Sequence, residues 1–376
     1  MNAAKNIQYI AMFGVLFFLW SLCYVVVQDA YFKFQSVPTI ASEKIYIANE
    51  GESSLTVVNA LDTKEVGYIS LTEWNNRFSA HNVQVSPDGS LVVVTANSMS
   101  PEGMTDKKME KEESTISDQL VLIDPLTDRI TDRINIGMDA HLTHVVVNAD
   151  TTLAFVTAQE DAQLVIISLT DKSIQKIIPL PEGSSPHGLR LSPDGRQLYV
   201  ALIDGKGVII VHTTTFTTEV VSLEGKAVQV AVLPDGSQVF ISLFDTQRIA
   251  RYTPSTKEVS YMALPADAQW PIQLYPSPDG KTVYVADQGY YFDTPIGYRI
   301  YAIDTNSLQI QEAYTWWTAP HGVVTNKVWD KAYITNLLSD TLTIIDTKQK
   351  TIVDTIAVWK MPNGISIRSS TLWGTP

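Results

Sequence analysis

The 376-residue chain has a single cysteine, Cys23, and that one lies inside an apolar N-terminal run. The rest of the chain can therefore form neither a disulfide nor a thiolate metal site. Positive charge is also scarce: 27 Lys and Arg stand against 40 Asp and Glu, a net charge of −13, with no basic stripe. Such a chain repels phosphate backbones, which excludes nucleic acid as a partner. There is no G-x-S-x-G elbow, P-loop, H-E-x-x-H or dinucleotide fingerprint, so no familiar catalytic signature says whether the protein is an enzyme. C-x-x-C-H is missing as well, which excludes covalently attached haem c. After residue 43 no helical period is found.

What the chain does hold begins with Lys5 and an apolar run from Tyr9 to Val27, broken only by Gly14, Ser21 and the thiol of Cys23. At ~1.5 Å per residue such a run spans roughly 28 Å, close to the hydrocarbon thickness of a bilayer. A cleaved signal has a shorter apolar core followed by small residues. Here Gln28 follows Val25–Val27, and Leu22 sits where a lipobox needs a small side chain. Residues 1–30 thus read as an uncleaved transmembrane signal-anchor and 31–43 as a linker. Lys5 and the α-amine hold the N-terminus in the cytoplasm, so the expected location is the cytoplasmic (inner) membrane with the remainder facing the periplasm or cell exterior.

From residue 44 short runs rich in β-branched and aromatic residues recur, among them Lys44–Asn49, Leu91–Asn97, Gln197–Ala201 and Lys331–Asn336. Turns precede them: Ser86–Gly89, Ser192–Gly195 and Ser277–Gly280 all read Ser-Pro-Asp-Gly, Leu233–Gly236 differs at one position, and Asn148–Thr151 is a degenerate copy. Proline presets φ, aspartate caps the turn and glycine accepts positive φ. With Asn326 and Arg368 as further stand-ins, the anchors fall at 86, 148, 192, 233, 277, 326 and 368. A period just above forty with four short strands marks a propeller blade, so the fold class is all-β, a seven-bladed β-propeller over 44–370 with an N-terminal transmembrane helix. The stretch 44–71 has three strands without an inner one, and 361–370 is an inner strand with nothing after it. Joined, they make the closing blade; 371–376 is a tail.

The sequence resembles the YVTN-type β-propeller repeat family, and is similar to surface-layer propellers and to the haem-binding propeller of bacterial nitrite reductase. The resemblance is carried by Pro186–Gly195 (PHGLRLSPDG) followed by Gln197–Ala201 (QLYVA), and by Ile45–Asn49 (IYIAN) followed by Leu55–Asn59 (LTVVN). It implies the fold and leaves function open, because one fold hosts unrelated chemistries.

Five of six histidines, His81, His141, His144, His187 and His321, fall at the starts of inner strands. Five residues before each anchor the chain reads His81, Thr143, His187, Val228, Ile272, His321 and Asn363. Inner strands line the channel, so these side chains surround one mouth. Trp74, Trp270, Trp316, Trp317 and Trp359 lie just upstream of inner strands. Two long insertions, 98–117 and 287–298, lead to the same face, the first carrying Met99, Met104 and Met109. Imidazole with thioether favours copper, thioether suiting Cu(I), as in histidine-lined propeller channels that this arrangement resembles. The expected function is a membrane-anchored, extracytoplasmic propeller binding a metal ion at the histidine-lined mouth, for redox or metal handling. Two alternatives stand beside it: a non-catalytic interaction module or accessory subunit of a membrane complex, with its protein partner on the histidine and tryptophan face, and a site for a flat ligand such as haem. For His187 or His321 alone, a ring satisfied by carbonyls or water is the plainer reading.

Overall fold

The computed structural model describes residues 43–99, 116–292, 294–315 and 318–369. Seven four-stranded antiparallel sheets follow one another as blades. Blade one runs Phe78–Val85, Val92–Ser98, Ser117–Asp124 and Arg129–Met138, from the channel outward. The inner strands of blades two to seven are Leu142–Val147, Pro186–Leu191, Ala227–Val232, Pro271–Pro276, Pro320–Thr325 and Pro362–Arg368. The first three strands of a blade are buried along nearly their whole length. Outermost strands such as Ser173–Pro179 and Thr351–Ala357 are mostly exposed. This is why the inner runs are continuously apolar: each blade is covered on both faces by its neighbours, as in sheets buried on two sides.

The Pro-Asp-Gly turns form as their chemistry dictates. Ser86, Ser192 and Ser277 each donate a 2.6 Å hydrogen bond to the aspartate two residues on. Gly89, Gly195, Gly236 and Gly280 hold φ near +70°, a position taken by Thr151 and Trp329 in the two degenerate turns.

Closure occurs where the sequence places it. Lys44–Asn49 pairs antiparallel with Pro362–Arg368, in the register Lys44↔Arg368, Tyr46↔Ser366, Ile47↔Ile365. The seam to blade one is polar: the buried Lys44 ammonium reaches Asp128 Oδ2 at 2.6 Å and the Tyr46 hydroxyl donates to Asp128 Oδ1 at 2.7 Å. Ser366 Oγ accepts the Val85 N–H at 3.0 Å.

One expectation is corrected. No helix among the described residues is long and apolar enough to cross a membrane; the helical pieces are the three-residue 3-10 turns Phe244–Thr246 and Tyr290–Phe292. The blades bury their apolar faces against one another, and the described residues form an all-β propeller with no transmembrane helix among them. Residues 1–42, where the anchor and most of the linker were expected, and the tail 371–376 lie outside the described residues.

Six inner strands carry a β-bulge near their start. Pairing with the second strand skips between Ala80 and Asn82, Leu142 and Val145, Pro186 and Leu189, Ala227 and Val230, Pro271 and Leu274, and Pro320 and Val323. In blade seven the shift is recorded between Ile47 and Asn49 of the partner strand. A bulge leaves its extra residues unpaired and re-aims their side chains. Here they are aimed into the channel.

Candidate metal centre

The bulges place a belt of polar side chains across the channel. Blade one contributes His81 and Asn82. At the corresponding pair of positions the other blades read Thr143-His144, His187-Gly188, Val228-Gln229, Ile272-Gln273, His321-Gly322 and Asn363-Gly364. Each of these six blades therefore offers one long polar group, at either the first or the second bulge position, and three leave glycine at the other. The glycines make room: a Cβ on Gly188 would stand 2.1 Å from Gln229 Oε1, and one on Gly322 would stand 2.5 Å from the Asn363 carbonyl.

Backbone groups released by the bulges are taken up by hydroxyls from the second strands. Thr157 Oγ1 accepts the His144 N–H at 3.0 Å and donates to the His187 carbonyl of the next blade at 2.7 Å. Thr95, Ser242 and Thr335 repeat the pattern, donating to the carbonyls of Thr143, Ile272 and Asn363. Blade three has Ala201 where the hydroxyl would be, and there the carbonyl of Val228 lies 3.1 Å from His187 Nδ1. A carbonyl only accepts, so His187 is the Nδ1–H tautomer and its Nε2 keeps a lone pair.

Three of the five expected histidines come together. Ring nitrogens of His81, His144 and His187 all lie within 4.8 Å of one another, and all three residues are buried. His81 Nδ1 faces Glu50 Oε1 at 3.6 Å, while its Nε2 is buried without any hydrogen-bond partner. Leaving such a nitrogen unpaired costs roughly 1–3 kcal/mol, so it points to a ligand. Glu50 accepts from Asn363 Nδ2 at 2.7 Å and from the Tyr291 hydroxyl. Burial pushes the Glu50 carboxyl up, but His81 and these donors overcome it and hold the group at about 2. It is a carboxylate in the interior of the channel. Burial, followed by the charges of neighbouring histidines, lowers His144 and His187 well below the usual imidazole range, so both rings are neutral and able to ligate.

The other expected residues are placed as follows. His321 is buried at the belt but outside the trio, with Gln288 Nε2 at 2.7 Å from its Nδ1 and Gln273 Nε2 at 3.4 Å from its Nε2. His141 stands at the mouth, 42% exposed and beside Glu160, with its ring 5.9 Å from that of His81. Asn363 serves the Glu50 network. Trp270 packs edge-on to Phe244 at 6.2 Å, joining Ile203, Val228, Ile272 and Tyr291 in an apolar cluster over the side of the channel formed by blades four and five. Trp359 lies against Tyr68, and Trp74 is 94% exposed. Met99 sits half-buried in a loop; Met104, Met109, Trp316 and Trp317 lie outside the described residues. Asn82, Gln229, Gln273, Glu50 and Tyr291 are additions. The first three were available from the column four residues before each anchor; Tyr291 lies in the insertion 287–298, and Glu50 gives no sequence signal.

Because Thr157 holds both His144 and His187, Thr157→Val is expected to leave the ring folded and weaken metal binding at least tenfold. The expected stability loss is roughly 1–3 kcal/mol, chiefly from the orphaned His144 N–H, since the His187 carbonyl keeps the Thr143 hydroxyl at 3.3 Å. Metal titration alongside a thermal melt measures both; unchanged affinity would remove Thr157 from the positioning of the site.

No family model matches the chain, and neither does any curated protein. Solved structures do match in fold. Hydrazine synthase of Kuenenia stuttgartiensis superposes with a TM-score of 0.61 at 16% identity, covering 76% of this chain and 88% of that one. The periplasmic gluconolactonase PpgL of Pseudomonas aeruginosa gives 0.66 at 15%, covering 88% and 99%. The dihydro-heme d1 dehydrogenase NirN, in complex with DHE, gives 0.57 at 12%, covering 86% and 74%. At such identities the likeness is one of fold alone. It supports the seven-bladed propeller, while the resemblance to YVTN-type repeats rests on the quoted residues.

Proposed function

We propose that the protein binds one copper ion, as Cu(I), between His81, His144 and His187, and serves as a copper-holding or redox centre. The carrying observation is the buried His81 Nε2 that has no partner, within 4.8 Å of ring nitrogens of two further neutral, buried histidines. Bonds of ~2.0–2.1 Å separate tetrahedral ligand nitrogens by about 3.3 Å, so from separations within 4.8 Å the trio closes in by no more than about 1.5 Å on ligation. The outer shell is built as histidine metal sites are: the Glu50 carboxylate behind His81 and the Val228 carbonyl behind His187.

Charge selects the ion. Imidazole alone suits copper, zinc, iron or nickel. An imidazole that ligates through its lone pair brings no charge and Glu50 brings one negative charge, so a monovalent ion makes the buried centre neutral. A divalent ion would leave a net positive charge in a low-dielectric channel that already holds Arg190, at a desolvation cost that Cu(I) avoids.

Protein produced without a histidine tag is expected to bind one equivalent of Cu(I), read by elemental analysis after titration against a chromogenic chelator. His81→Ala should reduce the affinity at least a hundredfold, and His212→Ala, in an outer strand, should leave it unchanged. Failure to bind any ion overturns the site; preference for Zn(II) over Cu(I) overturns the assignment of copper.

A further inference from the structure

Past the bulges the inner strands run toward the Pro-Asp-Gly turns, and the side chains two residues before each turn form the next layer of the channel: Gln84, Val146, Arg190, Ala231, Tyr275, Val324 and Ser366. All seven line one cavity of about 250 Å³, together with Asn82 from the belt above. The cavity therefore begins directly beneath the histidines. It leads into a second, about 510 Å³, which shares Tyr275 and Pro276 and is rimmed by the turn residues Ser86, Asp88 and Ser277.

Of the polar groups in this layer, Gln84 Nε2 donates to the Val85 carbonyl at 2.9 Å and Ser366 Oγ accepts the Val85 N–H, whereas Arg190 and Tyr275 keep donors without acceptors. The Arg190 guanidinium makes one hydrogen bond, from Nη1 to the carbonyl of Leu189 at 2.8 Å, and no carboxylate among the described residues lies within ion-pairing distance of it. The cavity lining contains neither aspartate nor glutamate. Among the described residues the Tyr275 hydroxyl makes no hydrogen bond, and the Asn82 side chain uses only its oxygen, which accepts the Val145 N–H at 3.3 Å. Burial disfavours the charge on Arg190 and also pushes the Tyr275 phenol up, so the phenol stays a donor. In a chain of net charge −13, this is a half-buried cation facing a cavity without a counter-ion among the described residues. A desolvated charge of that kind is costly unless paired. Gln84 and Ser366 add two further polar side chains, and most of the remaining wall, including Val146, Val147, Leu191, Val232 and Val324, is aliphatic.

We infer that this cavity is a binding site for a small monocarboxylate, its two oxygens taken by the Arg190 fork and the Tyr275 hydroxyl and its short apolar tail lying against the valine wall. A guanidinium presents paired N–H groups that match a planar carboxylate in two parallel bonds. Asn82 Nδ2 supplies a further donor from the belt. The aliphatic walls separate a carboxylate with a tail from a fully hydrated inorganic anion, which would lose its water against them without recompense. The site stands independently of the copper reading, because none of its donors is a ligand of the histidine trio.

The test uses the full chain stripped of metal, titrated calorimetrically with butyrate, and with butyramide and sulfate in parallel. Saturable binding of butyrate in the millimolar range or tighter is expected, with no binding of the uncharged amide and at least tenfold weaker binding of sulfate. Arg190→Met should abolish binding. Tyr275→Phe removes only a hydroxyl and keeps the ring in place, and should weaken binding three- to tenfold while leaving the melting temperature within the error of the wild type. The inference is overturned if the wild type does not bind butyrate, if Tyr275→Phe binds it unchanged, or if sulfate binds as tightly. Because the protein is metal-free, loss of this site and loss of the copper site are read separately.

Discussion

A chain ended after Met361 is expected to yield no folded monomer. The deletion removes the strand Pro362–Arg368, and with it the six-residue partner edge of Lys44–Asn49. Ile45 and Ile47, fully buried in the intact ring, would become exposed along with Val58 and Leu342 of the same apolar cluster. Exposing each large aliphatic side chain costs roughly 1.5–3 kcal/mol, and a domain has about 5–15 kcal/mol in all. The freed edge is also a template for pairing with a second chain. Size-exclusion chromatography and circular dichroism should show aggregate, or a weakly structured species without a cooperative melt. A monodisperse monomer with the melting temperature of the intact chain would show that the closing blade is dispensable.

Acid should destabilise the metal-free protein well above the pH at which carboxylates ordinarily titrate. Burial, then the charge of His81, pushes His321 down from 6.5 to about 3. Between those values the unfolded chain takes up a proton that the folded one refuses, so stability falls as the pH drops from about 6.5 toward 3. At ~1.4 kcal/mol per pKa unit the full loss from this one residue, reached near pH 3, is on the order of 5 kcal/mol. His144 and His187, also lowered, act in the same direction. Glu50, held at about 2 against an ordinary 4.5, adds its own loss only below about 4.5. Urea titrations at pH 7, 5.5 and 4.5 should give steadily falling midpoints, with His321→Gln making the decline shallower. A midpoint constant over that range would mean that the belt histidines are not held neutral by burial.

The ring was legible in the sequence because its turns are chemical: serine, proline, aspartate and glycine each have a conformational reason to stand at 86–89 or 277–280, and their spacing counts the blades. Closure was legible for a related reason, since 44–71 lacked an inner strand and 361–370 lacked outer ones. The histidines were legible only as a set. A single column five residues before each turn reads Val228 and Ile272 as a gap in the polar arc, whereas the bulge aims two consecutive residues inward and Gln229 and Gln273 fill that gap. Glu50 could not be read at all, and Tyr291 only as part of an insertion. The first lies in the half of the closing blade at the start of the ring and the second in the insertion of blade five, and only closure brings both to Asn363. Arg190 lies on an inner strand two residues before a turn, but its missing counter-ion is a property of the channel and not of the sequence around it.

The belt of alternating polar groups and glycines has a consequence for how such a channel can be rewritten. A larger residue at 188 collides with Gln229 of the next blade, and a Cβ at 364 would come within 2.8 Å of the Asn82 Cα. The permissible unit of change is therefore a pair of neighbouring blades: a side chain grows on one only as its neighbour recedes. The outer sheets and turns take no part in that exchange. A propeller of this kind can swap its channel chemistry in two-blade steps while the ring is left as it was.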